Sequence, residues 1–263
     1  MFDPASITQV HGFSGEAALC KPVRHFDGPE EPQAFSRRIA DTLKLLADTL
    51  QPQRRIVRAG DVLYRAGERF DCLYVLNSGL VKVVKFTADG REQMVGIKFR
   101  GDWLGLDGIA HGRHGCVSIA MDTGEVWIIR YDQLVAASGR HPALLTALHG
   151  AMSLQIARDR DSLMWVCTLP ADARVADFLR FMAESLSGRG LRTDQITLRM
   201  TRAEIGNYLG LTLESVSRAL SRLARDKVIV FAGKGRREVC IPEVDALSAF
   251  VQRCLGPAVT TLQ

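Results

Sequence analysis

The chain has 263 residues, of which 47% are hydrophobic and 24% charged, with a formal net charge of +5. Such a composition belongs to a globular chain long enough for two domains with cores of their own. It contains no apolar run near the roughly 20 residues of a membrane span, and its start, MFDPASITQVHGFSGEAALC, lacks the basic and apolar regions of a signal peptide. The cytoplasm is therefore the expected location, and the mild positive charge permits a polyanionic partner without requiring one. Cys20, Cys72, Cys116, Cys167, Cys240 and Cys254 are scattered with no CxxC pair, so reduced thiols are expected rather than a disulfide framework.

In chain order, residues 1 to about 35 mix Gly, Pro and acidic residues with no sustained period and read as a poorly ordered leader. FSRRIADTLKLLADTL, from Phe35 to Leu50, carries apolar residues at helical spacing. From Arg54 to about Ile129 the texture changes to short apolar or alternating runs. Turns punctuate them at Gly60-Asp61, Gly67-Glu68, Asn77-Ser78-Gly79, Asp89-Gly90 and Gly101-Asp102. That spacing predicts a small antiparallel β-roll or barrel, which either encloses a ligand or fills itself with side chains.

A short helical connector from Tyr131 to Gly139 precedes a longer helix from Pro142 to Val166. Leu145, Met152, Ile156, Asp159, Leu163 and Val166 recur close to the three-and-four spacing of a coiled-coil seam. Burial against the barrel would explain the apolar members equally well, but not Asp159. Across a two-fold axis Asp159 would face its own copy, and like charges there repel. A solvent-facing Asp on a slightly different seam is the alternative.

Pro170 to Leu186 predicts another amphipathic helix, followed by a short strand at Gln195–Met200. The stretch TRAEIGNYLGLTLESVSRALSRLAR, Thr201 to Arg225, reads as two short helices joined at Gly210. Thr201 and Glu204 fit a capping box. Gly206 leaves room for a second backbone, and Gly210 can take the positive φ that ends a helix. Thr212 caps the second helix, which turns Leu213, Val216, Ala219, Leu220 and Leu223 inward and Glu214, Ser217, Arg218, Arg222 and Arg225 outward. This is the pattern of a helix-turn-helix, where an ordinary helical hairpin would need none of these spacings. Arg218 can pair bidentately with guanine O6 and N7, Glu214 can accept from cytosine N4, and Ser217 can serve a base or a phosphate. Val228–Ala232 and Arg237–Ile241 flank Gly233-Lys234-Gly235 as a β-hairpin wing whose cations suit phosphates. Thr201, Arg202, Thr212, Arg222, Lys234 and Arg236 are the expected DNA-backbone contacts. The tail after Pro242 predicts a short helix.

Barrel, long helix and winged helix-turn-helix together resemble the CRP/FNR family of bacterial transcription regulators, from about Arg54 to Ile241. TRAEIGNYLGLTLESVSR is similar to the recognition region of the FNR branch, including E-x-x-S-R at Glu214, Ser217 and Arg218. GDVLYRAGE, LYVLNSG and GDWLGLDGIA look like the family's sensory domain. The resemblance implies an α+β fold divided into a leader (1–35), a β-roll (36–140), a dimerisation helix (141–168) and a DNA-binding domain (169–263). It also implies a non-enzymatic homodimer that reads a palindrome of TTGAT-like half-sites, with Leu145, Met152, Ile156, Asp159 and Leu163 at the interface. Asp159 then stands where charge opposes dimer formation. The turn Thr87-Ala88-Asp89-Gly90-Arg91 lies where such proteins touch RNA polymerase, although Arg91 occupies a place that is acidic in the family's pattern.

Two departures from the family's pattern, and one option left open, bear on sensing. A four-thiolate iron–sulfur cluster is not expected, because the leader offers only Cys20 and Trp127 stands where the barrel cysteine would be. Cyclic AMP is not expected either, because Gly101-Asp102-Trp103 and Gly115-Cys116 lack the cassette's arginine. Haem stays open through His111, His114 and Cys116, which read more simply as surface loop residues, and Cys20 with Cys116 is a conceivable thiol pair. The rival readings are a haem- or thiol-based sensor of the same family and a ligand-binding protein that does not act on DNA.

Overall fold

A computed structural model describes residues 32–192, 195–232 and 237–255. Helix α1 (Pro32–Leu50) buries Ile39, Leu43 and Leu46 along one face. It starts three residues ahead of the expected Phe35, with a proline in the first turn, where a missing N–H costs nothing. The rest of the expected leader, with Cys20, lies outside the described residues.

The β-roll comprises β1 (Gln53–Val57), β2 (Val62–Tyr64), β3 (Cys72–Ser78), β4 (Val81–Phe86), β5 (Glu92–Lys98), β6 (Trp103–Leu104), β7 (Val117–Ala120) and β8 (Gly124–Arg130). They form two antiparallel sheets, ordered β1-β8-β3-β6 and β2-β7-β4-β5. Val57, Leu63, Leu76, Val81, Leu104 and Val126 fill the space between them. One short helix, α2 (Gly108–His111), was not anticipated from the sequence.

Helices α3 (Tyr131–Ser138) and α4 (Ala143–Thr168) follow the roll. Leu134, Leu144 and Leu148 join Ile39, Leu43, Leu46, Trp103 and Trp127 in a second apolar cluster, which seats the first half of α4 on the roll. The second half leaves that support.

The C-terminal domain contains α5 (Ala171–Ser187), β9 (Gln195–Thr197), α6 (Arg202–Leu209), α7 (Leu213–Arg225), β10 (Val230–Ala232), β11 (Glu238–Cys240) and α8 (Val244–Leu255). Its small sheet runs β10-β11-β9. β9 is shorter than the expected Gln195–Met200. The core of α5, α6, α7 and α8 is continuous with Leu80, Met94, Ile97 and Phe99 of the roll, so one apolar cluster spans both domains.

A buried charge cluster reinforces that junction. Asp102, in the turn between β5 and β6, accepts hydrogen bonds from the Phe99 backbone N–H (2.9 Å) and from Arg189 Nη2 (2.8 Å). Arg158 of α4 approaches the same carboxylate at 3.0 Å. Burial opposes ionisation of Asp102, but Arg158, Arg189 and Lys98 outweigh it and hold the carboxyl at about 2. Roll, α4 and the segment after α5 thus meet on one side chain.

Candidate nucleic-acid interface

The helix-turn-helix is built by local contacts. Thr201 Oγ1 accepts from the Glu204 backbone N–H (3.1 Å), and Glu204 Oε2 accepts from the Thr201 N–H (2.9 Å), completing the capping box of α6. A Cβ at Gly206 would lie 2.6 Å from the Leu211 carbonyl oxygen, so any other residue would force the backbone to shift where the chain turns back. Gly210 ends α6 with φ +65°, a left-handed conformation that costs other residues free energy. Thr212 Oγ1 then accepts from the Ser215 N–H and starts α7.

Val216, Ala219, Leu220 and Leu223 form the buried stripe of α7. Leu213, expected to point inward, is 47% exposed. The stripe covered by the neighbouring helices begins one turn later, and the first turn of α7 projects past it. Glu214 and Arg218 are exposed and Ser217 is half-buried. Backbone N–H groups at the helix start and the Thr212 hydroxyl lower the pKa of the Glu214 carboxyl, which favours the ionised acceptor form. Arg218 Nη2 lies 3.2 Å from Ser215 Oγ, one turn back along the helix.

The expected backbone contacts divide. Thr201 and Thr212 are exposed at the starts of the two helices, and Arg202 is half-buried with its guanidinium over Phe231. Arg222 is engaged by Asp172 of α5 at 2.6 Å and lies over the Phe250 ring, so a phosphate would have to compete for it. Lys234 and Arg236 fall outside the described residues. Arg174 was not singled out in the sequence. Its Nη1 donates to the Leu209 carbonyl at the end of α6, and its Nη2 donates to Val166 and Leu169 at the end of α4. It pins the end of the long helix to the turn that carries α7. Nothing local in the sequence marks such a residue.

On α4, Leu145, Ile156 and Leu163 are exposed, the last two by 50% and 64%, while Met152 packs partly against the roll's helical cluster. Asp159 is exposed and accepts from Gln155 Nε2 at 2.6 Å. At the β4–β5 turn, Gly90 donates to the Thr87 carbonyl and Arg91 Nε pairs with Asp89 at 2.7 Å, so the loop's cation is partnered within the loop.

The candidate cofactor residues do not converge. His111 is exposed at the end of α2, whereas His114 is 3% exposed, which corrects its reading as a surface residue. Its ring stacks on Tyr64 at 4.0 Å and meets the edge of Phe70, and burial lowers its pKa against the opposing pull of Asp107 and Glu68. Burial, with Asp107 beside it, pushes the Cys116 thiol up to about 11, away from the thiolate that exchange chemistry needs. Among the described residues, no group of three or more His, Cys, Asp or Glu side chains is arranged to hold a metal. The described residues do not bring together the thiolates of an iron–sulfur cluster.

Residues 173–250 match the Crp-like helix-turn-helix domain family, and residues 54–141 match the cyclic nucleotide-binding domain family. The chain is 33% identical over 202 residues to the fumarate and nitrate reduction regulatory protein of Salmonella typhimurium, covering 77% of this chain and 80% of that one. It belongs to the CRP/FNR family of transcription regulators. The Escherichia coli protein of the same name is 32% identical over 76% of this chain and 79% of its own. The solved structure of FixK2 from Bradyrhizobium japonicum superposes with a TM-score of 0.67 at 27% identity, over 76% of this chain and 98% of that one. As a CRP/FNR member the protein is a DNA-binding regulator, not an enzyme, and its roll is a cyclic-nucleotide-binding-type domain. No helix among the described residues is long and apolar enough to cross a membrane.

Proposed function

We propose that the protein binds DNA as a homodimer at a palindrome with TTGAT-like half-sites, and activates transcription by touching RNA polymerase. The observation that carries this reading is the outer face of α7, where Glu214 and Arg218 stand exposed one turn apart with Ser217 beside them. In the major groove Arg218 would pair with guanine, Glu214 would accept from cytosine, and exposed Leu213 adds an apolar surface for a thymine methyl. Thr201, Arg202 and Thr212, with Lys234 and Arg236 of the wing, are assigned to phosphates, while Arg222 reaches one only by leaving Asp172.

In the proposed division of labour the roll (36–140) carries any signal, α4 within 141–168 pairs the subunits, and 169–263 reads DNA. The loop from Thr87 to Arg91 is the proposed polymerase contact. Two copies of α7 would enter successive major grooves one helical turn apart. The relatives' names point the proposal towards respiratory genes. With no cofactor set among the candidate ligands, competence is proposed to be constitutive and set by abundance.

Titration of a TTGAT-N4-ATCAA duplex against a scrambled one tests the reading. Wild-type protein should prefer the palindrome. Arg218→Ala should lose about 1–3 kcal/mol of that preference per half-site while its fold and oligomeric state are unchanged. Equal affinity for both duplexes would refute the sequence-specific reading. Affinity that changes severalfold when anaerobically prepared protein meets air would refute constitutive competence.

A further inference from the structure

Strand β5 is the outer strand of its sheet, and its free edge exposes backbone groups that demand partners. The side chain of Asn207, on the first helix of the helix-turn-helix, supplies them. Asn207 Oδ1 accepts from the Met94 backbone N–H at 2.5 Å, and Asn207 Nδ2 donates to the Glu92 carbonyl at 2.7 Å. An amide carries one acceptor and two donors, so this single side chain pairs with β5 as a neighbouring strand residue would. Gln93 Nε2 returns a bond to the Asn207 backbone carbonyl. One residue further along, the ladder to β4 shifts register and leaves Val95 without a cross-strand partner. Such bulges commonly re-aim an edge.

An ion pair stands beside this amide. Lys82 Nζ of β4 lies 2.7 Å from Glu204 Oε1, and the lysine side chain is largely buried. The other oxygen of Glu204 caps α6. Beneath both contacts Met94, Ile97 and Leu80 join the cluster that holds Ile205 and Leu209. Together these contacts form a latch whose residues on the DNA-binding side, Glu204 and Asn207, both lie on α6. The reading face of α7 stays open while the latch is closed.

We infer that Asn207 is a positioning residue, fastening the DNA-binding domain to the edge of the sensory roll so that α7 is presented at a fixed orientation. The inference rests on the DNA reading above. A dimer that reads two half-sites one turn apart gains from recognition helices whose relative placement is set before DNA arrives. Without the Asn207 bonds the two domains would still meet through the Leu169–Pro170 elbow, the Arg174 bonds, the Arg189–Asp102 pair and the shared apolar cluster, but α6 would lose its hydrogen-bonded register on the β5 edge. The latch favours binding rather than blocking it.

Two measurements on full-length Asn207→Ala test this. Hydrogen exchange without DNA should show faster exchange of the Met94 amide than in wild type, with α7 protection unchanged. Titration of palindromes with four- and six-base spacers should show affinity for the preferred duplex reduced on the order of tenfold, and a flattened spacer preference. A purely structural role would lower affinity without changing that preference. Lys82→Ala should shift both duplex readouts in the same direction by less. An unchanged Met94 exchange rate would overturn the contact. Unchanged or tighter palindrome binding, with spacer preference intact, would overturn the positioning role. If wild-type protein ignores the palindrome, the DNA reading fails and the positioning role with it. The exchange result, read without DNA, separates that failure from loss of the contact.

Discussion

A methyl group added at Gly206 would sit 2.6 Å from the carbonyl oxygen of Leu211, and a backbone atom cannot swing aside as a flexible side chain would. Helix propensity alone favours Ala over Gly by about 1 kcal/mol, whereas overpacking costs roughly 1–3 kcal/mol. Gly206→Ala should therefore be net destabilising, lowering the melting temperature followed by circular dichroism by a few degrees. A variant that melts at or above wild type would show that the turn relaxes freely. The residues that make this turn were legible in the sequence because each acts on a partner a few positions away: Thr201 on Glu204, Thr212 on Ser215, Gly206 on Leu211. Leu213 and His114 were not. Leu213 keeps helical phase with Val216, but the packed surface stops one turn short of it. His114 sits in a polar, glycine-rich loop and owes its burial to Tyr64 and Phe70, more than forty positions away. Asn207 carries no local signal, because the β5 edge it satisfies exists only once the sheet has formed.

At the scale of elements, Asp102 joins three pieces that the sequence placed correctly and could not connect. The turn after β5, Arg158 of α4 and Arg189 beyond α5 converge on its carboxylate. Its folded pKa of about 2 lies below the roughly 3.9 of an unfolded chain. The stabilisation is therefore complete above about pH 4 and is lost as pH falls towards 2. A shift of this size corresponds to on the order of 2 kcal/mol. Asp102→Asn would leave Arg158, Arg189 and Lys98 buried without their anion, at a cost of roughly 3–5 kcal/mol near neutral pH. Urea unfolding at pH 7 and pH 3 should show the variant less stable at pH 7 and the gap narrowing at pH 3. A constant gap would mean that the carboxylate's charge is not what holds these elements. Strand and helix positions follow from periodicity, which is local, whereas the junction depends on which charges are buried together.

For the whole molecule, the outer face of α4 is the surface through which we propose that the subunits assemble. Leu145, Ile156 and Leu163 lie exposed at spacings that share one side of the helix, where a monomer in water gains nothing from them. Two copies packed along that side would bury them and set the two recognition helices at opposite ends of one palindrome. Ile156→Glu would place a second carboxylate beside Asp159 in the seam and should yield a folded monomer by sedimentation equilibrium. Because the second half-site is then no longer bound within the same complex, palindrome affinity should fall by on the order of 100-fold, while affinity for an isolated half-site stays the same. Asp159→Ala removes the like-charge repulsion and should move the monomer–dimer balance the other way, to dimers at lower protein concentration. If Ile156→Glu sediments as a dimer, the subunits meet through another surface. If Asp159→Ala leaves the balance unchanged, the Gln155 hydrogen bond holds that carboxylate clear of its copy.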